Sequence, residues 1–209
     1  KESLGEATAD LRAWLGLAPS VRAAEVMNRK LAEFAPGFRA EQPPPPAQEE
    51  AEIFVFTADG KGVPMRRPAG EKRAHGQRRR KGEKANKKQM ACVGAVYSIA
   101  PFVRTADEVL DELERKEAAY DRPQPQHKRV LAEMTRVLDG ETFNGRVTLF
   151  AELSDELRLR NRGGCKQVVA LMDGEAALWE AQKQFLPEAV GILDLFHVLE
   201  RLGNAAHVL

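Results

Sequence analysis

The chain has 209 residues, of which 43% are hydrophobic, and its 32 Lys and Arg nearly balance 31 Asp and Glu to leave a net charge of +1. That length and balance fit a soluble globular protein with one main domain and a small appendage. No apolar run approaches the roughly 20 residues of a membrane span and no signal-peptide pattern opens the chain, so a cytoplasmic protein is expected.

Two cysteines, Cys92 and Cys165, with no CxxC pair, argue against a disulfide framework or a zinc knuckle. Buried, reduced thiols are the expectation. The small net charge hides an asymmetry, since basic residues crowd between Arg66 and Lys88 while acids dominate from Asp107 to Glu117. A local basic patch says more than the sum.

Residues 1–40 read as helical, because Leu11, Trp14 and Leu15, and then Val21, Met27, Leu31 and Phe34, recur near helical period. The break "GLAPS" divides them and sets Ser20 to cap the second helix. Such a pair is either a helix-turn-helix, with Arg22, Asn28, Arg29 and Lys30 on its second helix, or a plain helical hairpin. "EQPPPPAQEE" follows, and its four prolines read as a stiff spacer over residues 41–52. The main domain is then expected at 53–209.

Beyond the spacer the pattern alternates. Strands are expected at 53–58, from Val63 to about Arg67, and in "MACVGAVYSI", with a hairpin turn at Asp59-Gly60 between the first two. The stretch between Arg67 and Met90 has almost no apolar residue and reads as a solvated loop. Thr105 and Glu108 form a capping-box signature for a helix at about 106–119. Helical runs follow at 127–138 and up to Asn161, the latter with Leu149, Phe150, Leu153 and Leu157 on one face. "VVALMDG" is a strand ending on Asp173, Glu175 to Phe185 a helix, "AVGILD" a strand, and "LFHVLERLGNAAHVL" a helix. This order predicts an α/β sheet, a meander followed by crossover connections.

Three apolar runs thus end in an aspartate, at Asp59, Asp173 and Asp194. Residues just past strand ends gather along one sheet edge, where ligands bind, so the three carboxylates converge if their strands are neighbours. A cluster of this kind calls for a divalent cation, and hard oxygen ligands suit Mg2+ or Mn2+. Two such ions roughly 3.5 to 4 Å apart serve in-line phosphoryl transfer on a nucleic-acid backbone. The plainer alternative stands beside it: Asp59-Gly60 and Asp173-Gly174 are ordinary turn dipeptides, and Asp194 a cap for the next helix.

His197, three residues after Asp194, shares its helix face and is either a second group at the same site or a partly buried residue between Phe196 and Val198. The basic segment offers Lys61, Arg66, Arg67, Arg78, Arg79, Arg80, Lys81, Lys84, Lys87 and Lys88 for DNA phosphates, in contacts that bind strongly without specifying sequence. No GxxxxGK[ST], GxSxG or HExxH occurs, which leaves nucleotide-loop, serine-hydrolase and zinc-protease chemistry without support.

Taken together, "TADGKGVPM", "KGEKANKKQMACVGAVYSIAPFVRT", "VVALMDGEAALW" and "ILDLFHVLERLGNAAHV" resemble the Mutator-like transposases of bacterial insertion sequences, of the ISKra type, from about residue 10 onward. The resemblance implies a ribonuclease-H-like core, a mixed sheet with flanking helices, whose acidic triad binds two Mg2+ ions. It matches the acid after the first strand to Asp59 and the acid after the fourth strand to Asp173. A Cys or Asp just ahead of a His, matched by Asp194 and His197, helps position DNA and the active site in relatives.

The implied partner is double-stranded DNA, both transposon ends and target, handled by a homo-oligomer on the bacterial nucleoid. The implied chemistry is nicking at the transposon ends and joining of the freed 3′-hydroxyl to target. The family's third acid, a glutamate on a later helix, has no matching position: Glu200 lies too early, and Gly203 stands where an aromatic residue is expected. With Lys1 in place of a starting methionine and a helical pattern running up to Leu209, the chain reads as an incomplete copy. A non-catalytic DNA-binding module and a ribonuclease-H-fold nuclease remain the alternatives.

Overall fold

A computed structural model describes residues 4–16, 19–65, 88–114 and 121–206. The chain divides into two units, Lys1–Pro44 and Pro45–Leu209. The first holds α1 (Leu4–Leu15) and α2 (Val21–Glu41). Ser20 caps α2 by accepting from the Ala23 N–H at 3.1 Å, and the helix continues through Pro36. Thr8 is the one buried side chain among this unit's described residues.

The second unit is a mixed α/β structure. In chain order its elements are β1 (Ile53–Pro64), β2 (Lys88–Ile99), α3 (Ala106–Leu113), β3 (Gln126–Met134), β4 (Arg136–Leu138), β5 (Glu141–Phe143), α4 (Gly145–Arg160), β6 (Gln167–Met172), α5 (Ala176–Phe185), β7 (Val190–Leu193) and α6 (Leu195–Ala206). Five strands form one sheet in the order β3-β2-β1-β6-β7, and β4 and β5 form a separate hairpin. The β1–β2 and β2–β3 pairs are antiparallel, while β1–β6 and β6–β7 are parallel. Among the described residues no helix is long and apolar enough to cross a membrane.

Two expectations are corrected. The strands expected at 53–58 and 63–67 are one strand, because β1 pairs residue for residue with β2 from Ile53↔Ile99 to Pro64↔Lys88 and Asp59-Gly60 makes no turn. The run at 127–138, expected to be helical, forms β3 and β4. Val130, Leu131, Met134, Val137 and Leu138 do recur at helical spacing, but the free edge of β2 offers a backbone ladder and β3 takes it. Thr105 and Glu108 do build a capping box on α3, and α4 does bury Leu149, Phe150, Leu153 and Leu157.

The core lies between the sheet and the α4–α5 pair. Phe54, Phe56 and Ala58 of β1 alternate toward these helices, and the Phe56 and Phe150 rings meet at 4.8 Å. Central position also buries Val55 on the opposite face, which explains why β1 reads as an unbroken apolar run. Gly94 on β2 sets the helix distance, since a Cβ there would stand 2.7 Å from the Thr57 carbonyl oxygen and 2.9 Å from a Leu153 methyl.

At the amino ends of β1 and β6 a buried ion pair closes the structure. The Arg160 guanidinium donates to Glu50 Oε1 at 2.6 Å and Oε2 at 2.9 Å, with both side chains fully buried. Ser98 donates to the same carboxylate at 2.6 Å and accepts from the Ala51 N–H, Arg160 also donates to the His127 carbonyl, and Lys166 donates to the Glu50 carbonyl. Burial opposes ionisation of Glu50, yet the hydrogen bonds from Arg160 and Ser98 outweigh it and hold its carboxyl below the ordinary range.

Replacing Glu50 by Gln strands a buried guanidinium and is expected to cost about 3 to 5 kcal/mol in urea unfolding at pH 7, whereas the joint change Glu50→Met, Arg160→Met costs much less. Because the folded carboxyl is depressed, its contribution is complete above the ordinary pKa of 4.5 and is lost as pH falls through the lower folded value. Wild-type stability should therefore fall more steeply below about pH 4.5 than that of Glu50→Gln; parallel curves would remove Glu50 from the acid response.

Candidate functional site at the carboxyl edge of the sheet

β1, β6 and β7 run in the same direction, and their ladders end together. Ala58 pairs with Met172 and Met172 with Leu193, so Asp59, Asp173 and Asp194 each stand one residue beyond a shared register line. The Asp194 N–H continues the ladder by donating to the Met172 carbonyl at 2.9 Å. Neighbouring strands lie about 4.8 Å apart, which places Asp59 and Asp173 side by side and Asp194 one strand further out.

Asp173 and Asp194 each also shape the connection that follows them. Asp173 Oδ1 accepts from the Glu175 N–H at 2.9 Å, and the Asp173 carbonyl accepts from the Trp179 indole at 2.7 Å, fixing the entry to α5. Asp194 Oδ1 accepts from the Phe196 N–H at 3.1 Å and its carbonyl from the Val198 N–H, which caps α6. Asp59 differs, being an exposed residue within β1. A carboxylate has about four acceptor sites, so one turn bond leaves Asp173 and Asp194 with capacity to spare.

His197, on α6, reaches the turn that follows β6. A Cβ on Gly174 would lie 3.2 Å from His197 Nε2, so the imidazole covers the turn after Asp173. Arg201 Nε donates toward the same nitrogen at 3.5 Å, one turn further along α6. Glu200 sits exposed on that helix.

The sequence reading missed Glu175. Its Oε2 lies 3.0 Å from where a Cβ on Gly60 would stand, so this carboxylate reaches across to β1 beside Asp59, into space that only a glycine leaves open. Its signal was a second acid two residues after Asp173, in "DGE". Cys92, on β2 opposite Gly60, feels the result: burial first and then the charge of Glu175 push its thiol up to about 11, Arg146 opposes them, and Asp59 adds a lesser push upward. Cys165, expected to be buried, is exposed, because "RGGCK" turns on the surface with Gly163 and Gly164 both at positive φ.

Past Asp59, β1 leaves β6, and from Gly62 onward β1 and β2 continue as a two-stranded ribbon beyond the rest of the sheet. Pairing with β6 stops at Ala58 and pairing of β2 with β3 stops at Ala91, while the β1–β2 ladder runs on to Pro64↔Lys88. The ribbon reaches about 17 Å past Asp59 at 3.4 Å per residue. Lys61 is exposed at its root and Lys88 on it, and Gln89 braces it by donating to the Thr135 carbonyl at 2.7 Å. Arg66, Arg67, Arg78, Arg79, Arg80, Lys81, Lys84 and Lys87 lie outside the described residues.

The donor chemistry at this edge, carboxylate oxygens on adjacent strands, suits a hard divalent cation in kind. The donor count does not reach a closed site: among the described residues no three His, Cys, Asp or Glu side chains come close enough together to hold a metal ion. The three aspartates are brought to one line by the backbone register. No protein-family model matches the chain, and no curated protein matches it.

The electrostatics of the edge can be read through its thiol. At pH 8, thiol titration of the native protein is expected to count one fast-reacting cysteine, abolished by Cys165→Ser, with Cys92 reacting only after unfolding. A fast second thiol would mean that Cys92 is neither buried nor held protonated by Glu175 and Asp59.

Proposed function

We propose that this chain is the nucleic-acid-processing part of a DDE-type transposase with a ribonuclease-H-like core, and that the carboxyl edge of its sheet faces the DNA backbone. The observation that carries the reading is the register of Asp59 and Asp173, side by side on neighbouring parallel strands at the root of a lysine-bearing ribbon. Other features agree. Counted along the chain, β6 is the fourth strand of the main sheet, and Asp173 follows it, as the resemblance requires. The ribbon leads in sequence to the Arg- and Lys-rich segment 66–87, and a two-stranded ribbon is one of the shapes that a DNA major groove accepts.

In this reading Asp59 and Asp173 are the metal-binding acids, with Mg2+ or Mn2+ as the ion. A bound divalent ion would neutralise the carboxylates and polarise a phosphate for in-line attack. Asp194 positions α6, His197 covers the turn that carries Asp173, and Lys61 and Lys88 hold backbone phosphates. The chemistry is hydrolytic nicking followed by attack of a 3′-hydroxyl at phosphorus. With two acids in register and, among the described residues, no group of three donors close enough to hold an ion, DNA binding without robust strand transfer is the expected behaviour of this chain.

A second reading has its own support. Asp173 and Asp194 both serve as turn acceptors, and the described residues hold no three-donor group. That favours a DNA-binding module whose acids are structural.

Calorimetric titration with Mn2+ separates the two. The transposase reading expects binding that weakens at least tenfold, by about 1.4 kcal/mol or more, in both Asp59→Ala and Asp173→Ala, with affinity for duplex DNA retained. Asp194→Ala should keep the ion and lose about 1 kcal/mol of stability as a lost helix cap. Ion binding indifferent to Asp59 and Asp173 would leave the module reading standing and remove the catalytic one.

A further inference from the structure

α2 carries an apolar seam that its own unit leaves open. Met27, Leu31, Phe34 and Phe38 follow one another at intervals of four, three and four residues, and Ala24 extends the pattern three residues earlier. Those intervals place them along one side of the helix over roughly 17 Å. Their exposures are 60%, 65%, 71% and 64%, and α2 has no buried residue although α1 accompanies it. A DNA-reading helix presents polar and basic side chains, so the broad apolar seam does not suit the recognition-helix alternative. A monomeric soluble protein rarely leaves such a contiguous seam uncovered.

We infer that the seam is covered by α2 of a second copy of this chain, in a parallel two-helix pairing. Alternating three- and four-residue intervals are the repeat of a coiled-coil interface, and a seam of this kind is complementary to itself. Its flanking positions suit self-pairing too. Ala23, Asn28, Ala35 and Gly37 are uncharged, and parallel pairing sets the lone flanking charge, Lys30, opposite Ala35 of the second copy. Like charges therefore do not meet across the interface. Glu25, Arg29, Glu33 and the Pro36 ring fall outside the seam and its flanks, where charge is tolerated.

The size fits as well. At these exposures the four side chains offer on the order of 500 Å² per copy, hence roughly 1,000 Å² for a pair, about where specific association begins. This pairing does not depend on the proposed DNA chemistry.

Sedimentation equilibrium of the full chain between about 1 and 100 µM tests it. A mass of two chains is expected, with the joint variant Leu31→Glu, Phe34→Glu shifted at least a hundredfold toward monomer while the melting of the second unit stays unchanged. Glu33→Lys, outside the seam, and Ile192→Glu, on the exposed strand β7, should leave the dimer intact. A single-chain mass at every concentration, or a dimer that survives the double charge substitution, overturns the inference. In a Cys165→Ser background, Leu31→Cys should form a disulfide between copies on mild oxidation. Cross-linking only between Met27→Cys and Phe38→Cys chains overturns the parallel arrangement.

Discussion

The buried pair of Glu50 and Arg160 is the constraint on which the second unit depends. It ties the segment before β1, through Ser98, to the end of β2, through the His127 carbonyl to the start of β3, and to the last turn of α4, while Lys166 ahead of β6 binds the Glu50 carbonyl. A second acid extends it, since Glu156 lies between Arg129 and Arg160. Two charges without exposure would be costly apart, so segments far apart in sequence are held at one corner of the sheet. β1 and β6 both start from that corner, and their register fixes which residues emerge together at the other end. The same ladder that begins beside this ion pair ends with Asp59 level with Asp173.

At the carboxyl edge one residue type serves two ends. Aspartate after a strand is the natural acceptor for the first N–H groups of the next helix, and Asp173 and Asp194 use one oxygen in that way. The same geometry holds each carboxylate at the rim, with acceptor capacity left over. Structural and ligand-binding roles are compatible there, and turn geometry alone does not discriminate between them. Asp59 is more telling. It sits within a paired strand, caps nothing, and lies beside a glycine whose bare backbone admits the Glu175 carboxylate. A strand with no need for an acid at that position carries one, close to another, and together they help keep a buried thiol protonated.

Much of this was legible in the sequence because it rests on local rules. The capping box at Thr105 and Glu108, the stripe from Leu149 to Leu157, and the two strands ending at Asp173 and Asp194 follow from propensity, period and capping, and each is found in the structure. The alignment of Asp59, Asp173 and Asp194 at one sheet edge was legible for the same reason, since they are polar residues closing apolar runs. The errors arose where two local rules agreed and a distant partner overruled both. Asp59-Gly60 is a strong turn dipeptide, yet the continuous ladder with β2 keeps the chain extended. Residues 127–138 have helical spacing, yet the open edge of β2 draws them into a strand.

The sequence by itself determined the alternation of strand and helix after β5, the acids at strand ends and the basic character of the segment that follows β1, since each is set by neighbours within a few residues. Only the tertiary structure decided that β1 lies between β2 and β6, which makes Asp59 and Asp173 adjacent. It also decided that Glu50 is the partner of Arg160 110 residues away, that His197 covers Gly174, and that Glu175 reaches β1. Those outcomes depend on which strands pair and which charges must be buried together, and both are settled by contacts between segments far apart in the chain.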